Sequence, residues 1–387
     1  MSVEYGLSPD EESFRREVCD FLSQDAVRKV VDEVRHRPAR DEPGLLEVYR
    51  WLGERRWLAV NWPEEYGGLG RGIVEKSILT EELIRHGVPD LVHIVSVDIV
   101  GLIIQMVGTE EQKNRLLPPL ARGEQAASVL YSEPGVGSDL SALRARAVPD
   151  GDGWRLYGRK IYSLKSQFAD FALCAARTTE SEVAAHGITL FVVPLRTPGV
   201  TVRTIPSISD DAFSDVSLEG IRLTRDDVLG EVDEGYQVIN QVIPVERTGL
   251  EFQAKARRLL DLIVRRLDEI GELGDPCAAE RLVDLHAQAR AAELFSWRVI
   301  TELREGRLDN VGTAMAKWYA TELFKRITHT GIDLLGLDAV LSARDDRALY
   351  DGVLEHGHRE ATGFTLSAGT SEIMQYLIAS VGLQLLT

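Results

Sequence analysis

The fold of this chain is constrained most by a change in residue periodicity near residue 126, which reverses near residue 235. Before the change, apolar residues recur at helical spacing, as Phe14, Val18 and Phe21 do behind the helix start at Ser8. After it, short β-rich runs alternate with turns until long helical patterns return. The sequence therefore predicts an α+β multidomain chain with three parts: an N-terminal α-helical domain (1–125), a middle small β-barrel domain (126–232) and a C-terminal four-helix bundle (233–387).

Individual elements follow from the same patterns. The turn Pro149–Gly153 predicts a hairpin between two of the strands. The apolar stretch 91–107 contains His93 and Asp98 and predicts a buried helix rather than a membrane span. The predicted strands cover 128–131, 143–148, 154–162, 171–177, 188–193, 200–205 and 216–223, and the predicted bundle helices cover 236–267, 280–303, 311–335 and 370–381.

The charge balance excludes some classes of partner. Lys and Arg total 44 against 61 Asp and Glu, which gives a formal net charge of −17. A nucleic-acid binder or an anionic-membrane binder needs a basic face, so neither is expected, and neither is membrane insertion. The N-terminus has no apolar leader, and the three cysteines match neither a disulfide framework nor a metal site. These features predict a cytoplasmic protein without a metal.

One loop carries the clearest chemistry. The segment Leu130–Leu140 runs from a β-rich stretch into Pro and Gly residues, with hydroxyls at Ser132 and Ser138. Glycines let a backbone approach a ligand closely, and free N–H groups with hydroxyls can bind phosphate or a flavin edge. The same residues also fit a strand that ends in a turn capped by Ser and Asp, without a ligand.

Six motifs in order give this loop its context, and through them the chain resembles the acyl-CoA dehydrogenase family of flavoproteins over nearly its whole length. The most specific match is Ser132-Glu133-Pro134 continuing through Gly137-Ser138-Asp139-Leu140. The other five are Trp62–Gly70, Gly108–Lys113, Gly158–Tyr162, Val228–Gly230 with Glu234–Tyr236, and Gly369–Ile373.

The resemblance implies an FAD site between the β-domain and the C-terminal bundle. Tyr131 and Ser132 match residues that touch the flavin ring, and Tyr162 matches an aromatic residue, usually Trp, that packs on it. Ser138 matches a serine near the substrate thioester and the flavin pyrophosphate. The remaining residues that the resemblance implies are Gly137, Ser163, Thr370 and Glu372 for the cofactor, and Ser138, Arg247, Ala368 and Gly369 for the substrate.

The sequence of these residues also fits purely structural roles. Tyr131 and Tyr162 also fit core aromatic residues of a β-domain, and Ser138 fits a turn cap. Thr370 reads as a helix N-cap with Glu372 in the first turn, which is compatible with a ligand role.

The catalytic base departs from the usual family pattern. Many members carry a catalytic Glu just before the Gly-Thr of the C-terminal motif, where this chain has Ala368. A minority places the base in a Glu-Arg pair on the first long bundle helix, which here is Glu246-Arg247. Glu246 is therefore the candidate catalytic residue, and a solvated Glu in the first turns of a helix, where acidic residues are favoured, is the alternative.

The resemblance implies FAD-dependent α,β-dehydrogenation of an acyl thioester carried by CoA or an acyl carrier protein. Electrons would pass to an electron-transfer flavoprotein or a similar acceptor. The expected assembly is a homo-oligomer, as a dimer or tetramer, or a heteromer with a paralogue. Two alternatives remain: a flavin enzyme of the same fold with oxidase-like or oxygenase-like chemistry, and a flavin-poor subunit that supports an active paralogue.

Overall fold

The computed structural model describes residues 6–35, 43–88, 94–209 and 212–385. The chain divides into two compact units. Unit 1 comprises Met1–Arg37, Gly72–Pro89 and Arg247–Thr387, and unit 2 comprises Pro38–Arg71 and Asp90–Glu246. The predicted order of helices, β-strands and helices is confirmed.

The α-helices of the described residues are α1 (Pro9–Leu22), α2 (Asp25–Arg35), α3 (Pro43–Glu54), α4 (Ile73–Arg85), α5 (Leu102–Val107), α6 (Glu110–Ala121), α7 (Gly235–Glu246), α8 (Leu250–Glu269), α9 (Pro276–Arg304), α10 (Asn310–Leu335), α11 (Val353–Phe364) and α12 (Ser371–Leu377). The strands are β1 (Ala127–Leu130), β2 (Arg146–Asp150), β3 (Gly153–Leu164), β4 (Phe171–Arg177), β5 (Ile188–Pro194), β6 (Val200–Pro206), β7 (Ala212–Leu223) and β8 (Val228–Leu229).

Unit 1 is helical, and one of its hydrophobic cores lies among α8, α9, α10 and α11. Local signals set several boundaries. Ser8 caps α1 by accepting a hydrogen bond from the Glu11 amide, with Glu11 bonding back to the Ser8 amide, which is a capping box. The core residues that the four helices share include Leu259, Leu260, Ile263, Leu285, Ala292, Phe324, Ile327, Leu354 and Phe364.

Two of the helix predictions for the C-terminal part of the chain were wrong. The predicted helix over 236–267 is two helices, because Gly249 takes a left-handed conformation (φ 74°) between α7 and α8. A Cβ on Gly249 would lie 2.7 Å from the Ala316 carbonyl oxygen, so close helix contact requires glycine there. The fourth bundle helix is α11, which was not predicted. The predicted helix over 370–381 is the short α12 followed by a π-helical turn, Ile378–Gly382.

Unit 2 contains one eight-stranded sheet in the order β6-β7-β3-β2-β4-β5-β8, with β1 paired in parallel to β4. The hairpin prediction is confirmed: Asp150 pairs with Gly153 at the end of the antiparallel β2–β3 ladder. The β-domain core collects the inward side chains of several strands, among them Leu130, Leu156, Cys174, Phe191, Val193, Val216 and Leu218.

The apolar stretch predicted as one helix over 91–107 has two parts. Positions 91–93 lie outside the described residues, and the rest is a π-helical segment, Ile94–Gly101, followed by α5. Most of the π-helical segment is buried in unit 2. No helix among the described residues is both long enough and apolar enough to cross a membrane.

Candidate functional site

The residues predicted for the site fall into one group in each unit. In unit 2, β1 leads into a tight turn over residues 132–138, here called the motif turn. The amide of Glu133 donates to the Val136 carbonyl at 2.8 Å, and the Val136 amide donates back at 2.9 Å. Pro134 and Gly135 occupy the central positions, and Gly135 has φ 84°, as a type II turn requires there. The turn geometry therefore explains why Pro134 and Gly135 stand at these positions of the motif.

A buried ion pair holds the motif turn. The Lys160 ammonium, fully buried, donates to the Glu133 carboxylate at 2.8 Å and to the Tyr131 carbonyl at 3.0 Å. The same carboxylate accepts the amides of Arg144 and Ala145 at 2.7 and 2.8 Å. Glu133 thus ties the motif turn to β3 and to the chain that enters β2. Sequence analysis missed both charged residues, because Lys160 stands in a strand pattern without any local sign of its partner.

The aromatic residue predicted to face the flavin projects from a bulge. The β3–β7 register shifts between Lys160 and Ser163, and Tyr162 within the shift has φ 60°. Its side chain is 62% exposed and contacts the Phe213 ring edge-on at 6.4 Å between centroids. The amide of Ile161 donates to the Ser132 carbonyl at 2.9 Å, so the bulge and the motif turn are joined. Tyr162 is therefore not a core aromatic residue.

The two serines of the motif turn and the serine of the bulge differ in their surroundings. The Ser163 side chain is buried and donates to the Val129 carbonyl at 2.8 Å, with Ser166 as its second partner. Its hydroxyl is therefore already engaged. Ser138 is exposed, and a Cβ added at Gly137 would have no neighbour within 4 Å. The hydroxyls of Ser132 and Ser138 bond to no other described residue, so both can bind a ligand.

In unit 1, the C-terminal motif lies between α11 and α12. Ala368 and Gly369 are both left-handed, with φ 51° and 95°. Thr370 caps α12 by accepting the Ile373 amide at 3.2 Å, as its sequence predicted. The Glu372 backbone amide and the Thr370 hydroxyl lower the pKa of the exposed Glu372 carboxyl below its usual value.

Two cations bind the backbone of this motif, and they are here called the cationic clamp. Arg247 donates from Nε to the Ala368 carbonyl at 2.7 Å. Lys317 of α10, fully buried, donates to the carbonyls of Phe364 and Gly369 at 2.9 and 2.8 Å. Burial, followed by the positive charge of Arg247, lowers the pKa of Lys317 to about 8. Lys317 has no local sequence signal, because both carbonyls that its ammonium binds lie more than 45 residues away.

The candidate base, Glu246, is the last residue of α7, and its side chain lies outside the described part of the structure. Arg247 follows it directly and contacts Ala368, the position that the usual family base would occupy. Thr248 and the left-handed Gly249 then lead into α8. The Glu-Arg pair therefore stands at a helix break instead of within a continuous helix.

FAD is compatible with the donors present in each unit. Unit 2 offers an exposed aromatic face at Tyr162, two available hydroxyls, and glycines whose backbone stands against open space. In unit 1, the amides of Gly369 and Thr370 donate to no described residue. Aromatic faces suit a flavin ring, and amides with hydroxyls suit its carbonyl and phosphate oxygens. No group of described residues has the composition of a metal site.

Comparison with known proteins agrees with the six motifs. The family models for the acyl-CoA dehydrogenase N-terminal, middle and C-terminal domains match residues 8–124, 128–221 and 233–383. Acyl-CoA dehydrogenase FadE26 of Mycobacterium tuberculosis is 29% identical over all of this chain and 99% of its own length. The bovine (Bos taurus) mitochondrial short-chain specific acyl-CoA dehydrogenase is 28% identical over 96% of this chain and 90% of its own.

Solved structures extend the likeness to the fold. A structure named Tcur3481-Tcur3483 steroid ACAD has a TM-score of 0.92 at 27% identity and covers 99% of this chain and 100% of its own. The ChsE4-ChsE5 complex of Mycobacterium tuberculosis has a TM-score of 0.89 at 26% identity, with full coverage of both chains. Three domain models in order, and relatives matched over their whole length, show that this chain belongs to the acyl-CoA dehydrogenase family of oxidoreductases.

Proposed function

We propose that this chain catalyses FAD-dependent α,β-dehydrogenation of an acyl thioester carried by CoA or an acyl carrier protein. The observation that carries the proposal is the junction of the Tyr162 bulge with the motif turn. The Ile161–Ser132 hydrogen bond keeps an exposed aromatic ring beside a turn that presents backbone and hydroxyl donors. A stacking face next to polar donors is what a flavin ring requires.

Each residue of unit 2 has a defined part in the proposal. When bound, FAD supplies a two-electron acceptor for the hydrogen that leaves the substrate β-carbon. Tyr162 packs on the ring, and Tyr131 and Ser132 contact its edge. Ser138 and Gly137 approach the pyrophosphate and the thioester arm. The buried Glu133 keeps these donors at fixed positions, so little reorganisation accompanies binding.

Residues of the C-terminal motif and the Glu-Arg pair complete the proposal. Ala368 cannot accept a proton, so we assign the removal of the substrate α-proton to Glu246. Arg247 holds the Ala368 carbonyl and thereby fixes the backbone beside the substrate. Thr370 and Glu372 contribute to the cofactor site from the start of α12. A positioned base contributes roughly 10²–10⁴-fold in rate, which sets the size of the expected effect.

Assembly and electron transfer are part of the same proposal. The end of unit 1 exposes apolar side chains, among them Leu366 (59%), Tyr376 (58%), Val381 (58%) and Leu383 (62%). Large exposed apolar side chains favour an interface with a second copy or a paralogue. Two similar solved structures are named as pairs of proteins, and the similar CarC is named as a subunit of a caffeyl-CoA reductase-Etf complex. We propose an electron-transfer flavoprotein as acceptor and a cytoplasmic location.

The test is anaerobic titration of FAD-loaded protein with a panel of acyl thioesters. The panel combines CoA and acyl-carrier-protein carriers with short, branched and polycyclic acyl groups. We expect at least one thioester to bleach the flavin absorbance in the wild type. The exposed control variant Glu231→Gln should bleach at the same rate, since Glu231 only pairs with Arg225 on the surface.

Other results identify the alternatives. Flavin that no thioester reduces, in a protein that consumes oxygen with an added reductant, would support oxidase-like chemistry. A protein that binds no FAD, even when purified in excess cofactor, would support the flavin-poor subunit. Light scattering that gives a monomer would refute the proposed assembly.

A further inference from the structure

Lys317 is unusual among the described charged residues of unit 1. Its side chain is fully buried on α10, yet both of its hydrogen bonds go to backbone carbonyls, those of Phe364 and Gly369. Its ammonium also lies 5.9 Å from the centroid of the Phe252 ring. A buried ammonium without a carboxylate partner costs free energy, which an apolar residue of similar size would avoid. Stability alone therefore does not explain why lysine stands there.

Two of the three carbonyls that the cationic clamp binds belong to the left-handed part of the C-terminal motif. Lys317 binds the carbonyl of Gly369, and Arg247 binds that of Ala368. Both residues are left-handed, and a non-glycine residue in that region carries strain that surrounding contacts must maintain. Gly369 has φ 95°, which favours glycine, and a Cβ there would lie 2.6 Å from Met374 Cε and 2.8 Å from an Arg247 nitrogen.

The two cations of the clamp also affect the N–H groups of the peptides whose carbonyls they bind. In a trans peptide, the C=O and the following N–H point in opposite directions. The Gly369 and Thr370 amides therefore point away from the two cations, and they donate to no described residue. A cation on a carbonyl oxygen polarises the peptide and makes its N–H a stronger donor.

We propose that Lys317 is a positioning residue of the flavin and substrate site, which aims and strengthens the Thr370 amide toward an oxygen-bearing anionic or carbonyl ligand, while Arg247 acts in the same way on the Gly369 amide. The inference rests on the proposed function, because the ligand oxygens would be those of FAD or of the thioester. It adds to that function a residue that touches neither ligand and acts only through the peptide backbone.

The first measurement is the FAD dissociation constant of Lys317→Met, which keeps the length of the side chain and removes its donors. We expect FAD binding at least about tenfold weaker than in the wild type, the size of one lost charge-assisted interaction. The matched control is Lys255→Met. Lys255 lies 4.4 Å from the Phe364 ring centroid, and its ammonium donates to the Glu251 carboxylate, so this variant removes a nearby lysine that has a carboxylate partner. It should bind FAD as the wild type does.

A pH profile separates charge from packing. The charged groups that face Lys317 are Arg247 at the α7–α8 break, Glu322 on α10 and Glu372 on α12, and Lys317→Met leaves all three in place. We expect wild-type FAD affinity to fall above about pH 8, where Lys317 loses its proton, and the Lys317→Met profile to be flat by comparison. Lys317→Gln, which keeps one donor, replaces the Met variant if that variant does not fold.

Parallel pH profiles, or a Lys317→Met affinity within twofold of the wild type, would overturn the inference. If the wild type itself binds no FAD, the proposed function fails, and the role of Lys317 is then tested by hydrogen exchange alone. Hydrogen exchange of the peptide 364–372 would then have to rise in Lys317→Met and stay unchanged in Lys255→Met. Equal exchange in both variants would reject the clamp.

Discussion

Replacing Glu133 by Ala tests whether the buried ion pair holds the motif turn. Glu133 is 6% exposed and accepts three hydrogen bonds, from Lys160 and from the amides of Arg144 and Ala145. Glu133→Ala leaves the fully buried Lys160 ammonium bonded only to the Tyr131 carbonyl. Removing one partner of a buried pair costs about 3–5 kcal/mol, because the remaining charge stays desolvated. We expect a loss of that size in the free energy of unfolding.

The assay is urea unfolding followed by tryptophan fluorescence, with an exposed ion pair of the same unit as control. Arg122 and Glu124 approach to 2.7 Å, but their side chains are 51% and 56% exposed. Solvent screens such a pair, so Glu124→Ala should cost less than about 1 kcal/mol. The contrast between two pairs of similar length isolates the contribution of burial.

A double variant checks the cause of the loss. Glu133→Gln with Lys160→Met removes both charges together, and it should be less destabilised than Glu133→Ala because no unpaired charge stays buried. The reasoning is refuted if Glu133→Ala costs no more than Glu124→Ala, or if the double variant is the least stable of the three. FAD affinity should fall in Glu133→Ala as well, since the motif turn then loses its anchor to residues 144 and 145.

Three further outcomes are expected. Glu246→Gln should retain FAD but bleach with thioester about 10²–10⁴-fold more slowly, and normal turnover would place the base elsewhere. Tyr162→Ala should weaken FAD binding while changing the free energy of unfolding by no more than about 0.5 kcal/mol, because the side chain is 62% exposed; a large loss of stability would mean that the ring is structural. The pKa of Lys317 is lowered from 10.5 to about 8 in the folded protein. Between these two pH values Lys317 is protonated in the unfolded chain and neutral in the folded chain, so the free energy of unfolding rises with pH. Relative to Lys317→Met, urea unfolding should show the wild type gaining up to about 1.4 kcal/mol per pH unit in that window, and a falling difference would contradict the assigned shift.

Elements with a local cause could be predicted from the sequence. Ser8 and Thr109 begin helices because their hydroxyls accept hydrogen bonds from the amides three residues ahead. Both partners of each bond therefore lie within four residues of sequence. The hairpin at Asp150–Gly153 follows from turn residues that are likewise neighbours. The six motifs were recognisable for the same reason, since the residues of each lie within a short stretch of the sequence.

Features with a distant cause could not be predicted. The break at Gly249 depends on Ala316, whose carbonyl requires close approach from another helix. Helix α11 contains Gly357, which weakens helical propensity, but a Cβ there would lie 3.3 Å from Phe324. The helical pattern on both sides of Gly249 therefore suggested one continuous helix.

The two buried lysines show how long-range contacts complete the local motifs. Lys160 binds the Tyr131 carbonyl behind the motif turn, and Lys317 binds the Gly369 carbonyl behind the C-terminal motif. In each unit, a desolvated ammonium fixes a backbone segment that contains a left-handed residue, Gly135 in one and Gly369 in the other. Burying each ammonium costs free energy of folding, and apolar residues of similar size at these positions would avoid that cost. A buried charge persists where the surrounding structure maintains it, so the recurrence of a buried lysine behind the two motifs that we propose to bind the ligand supports the same assignment for both.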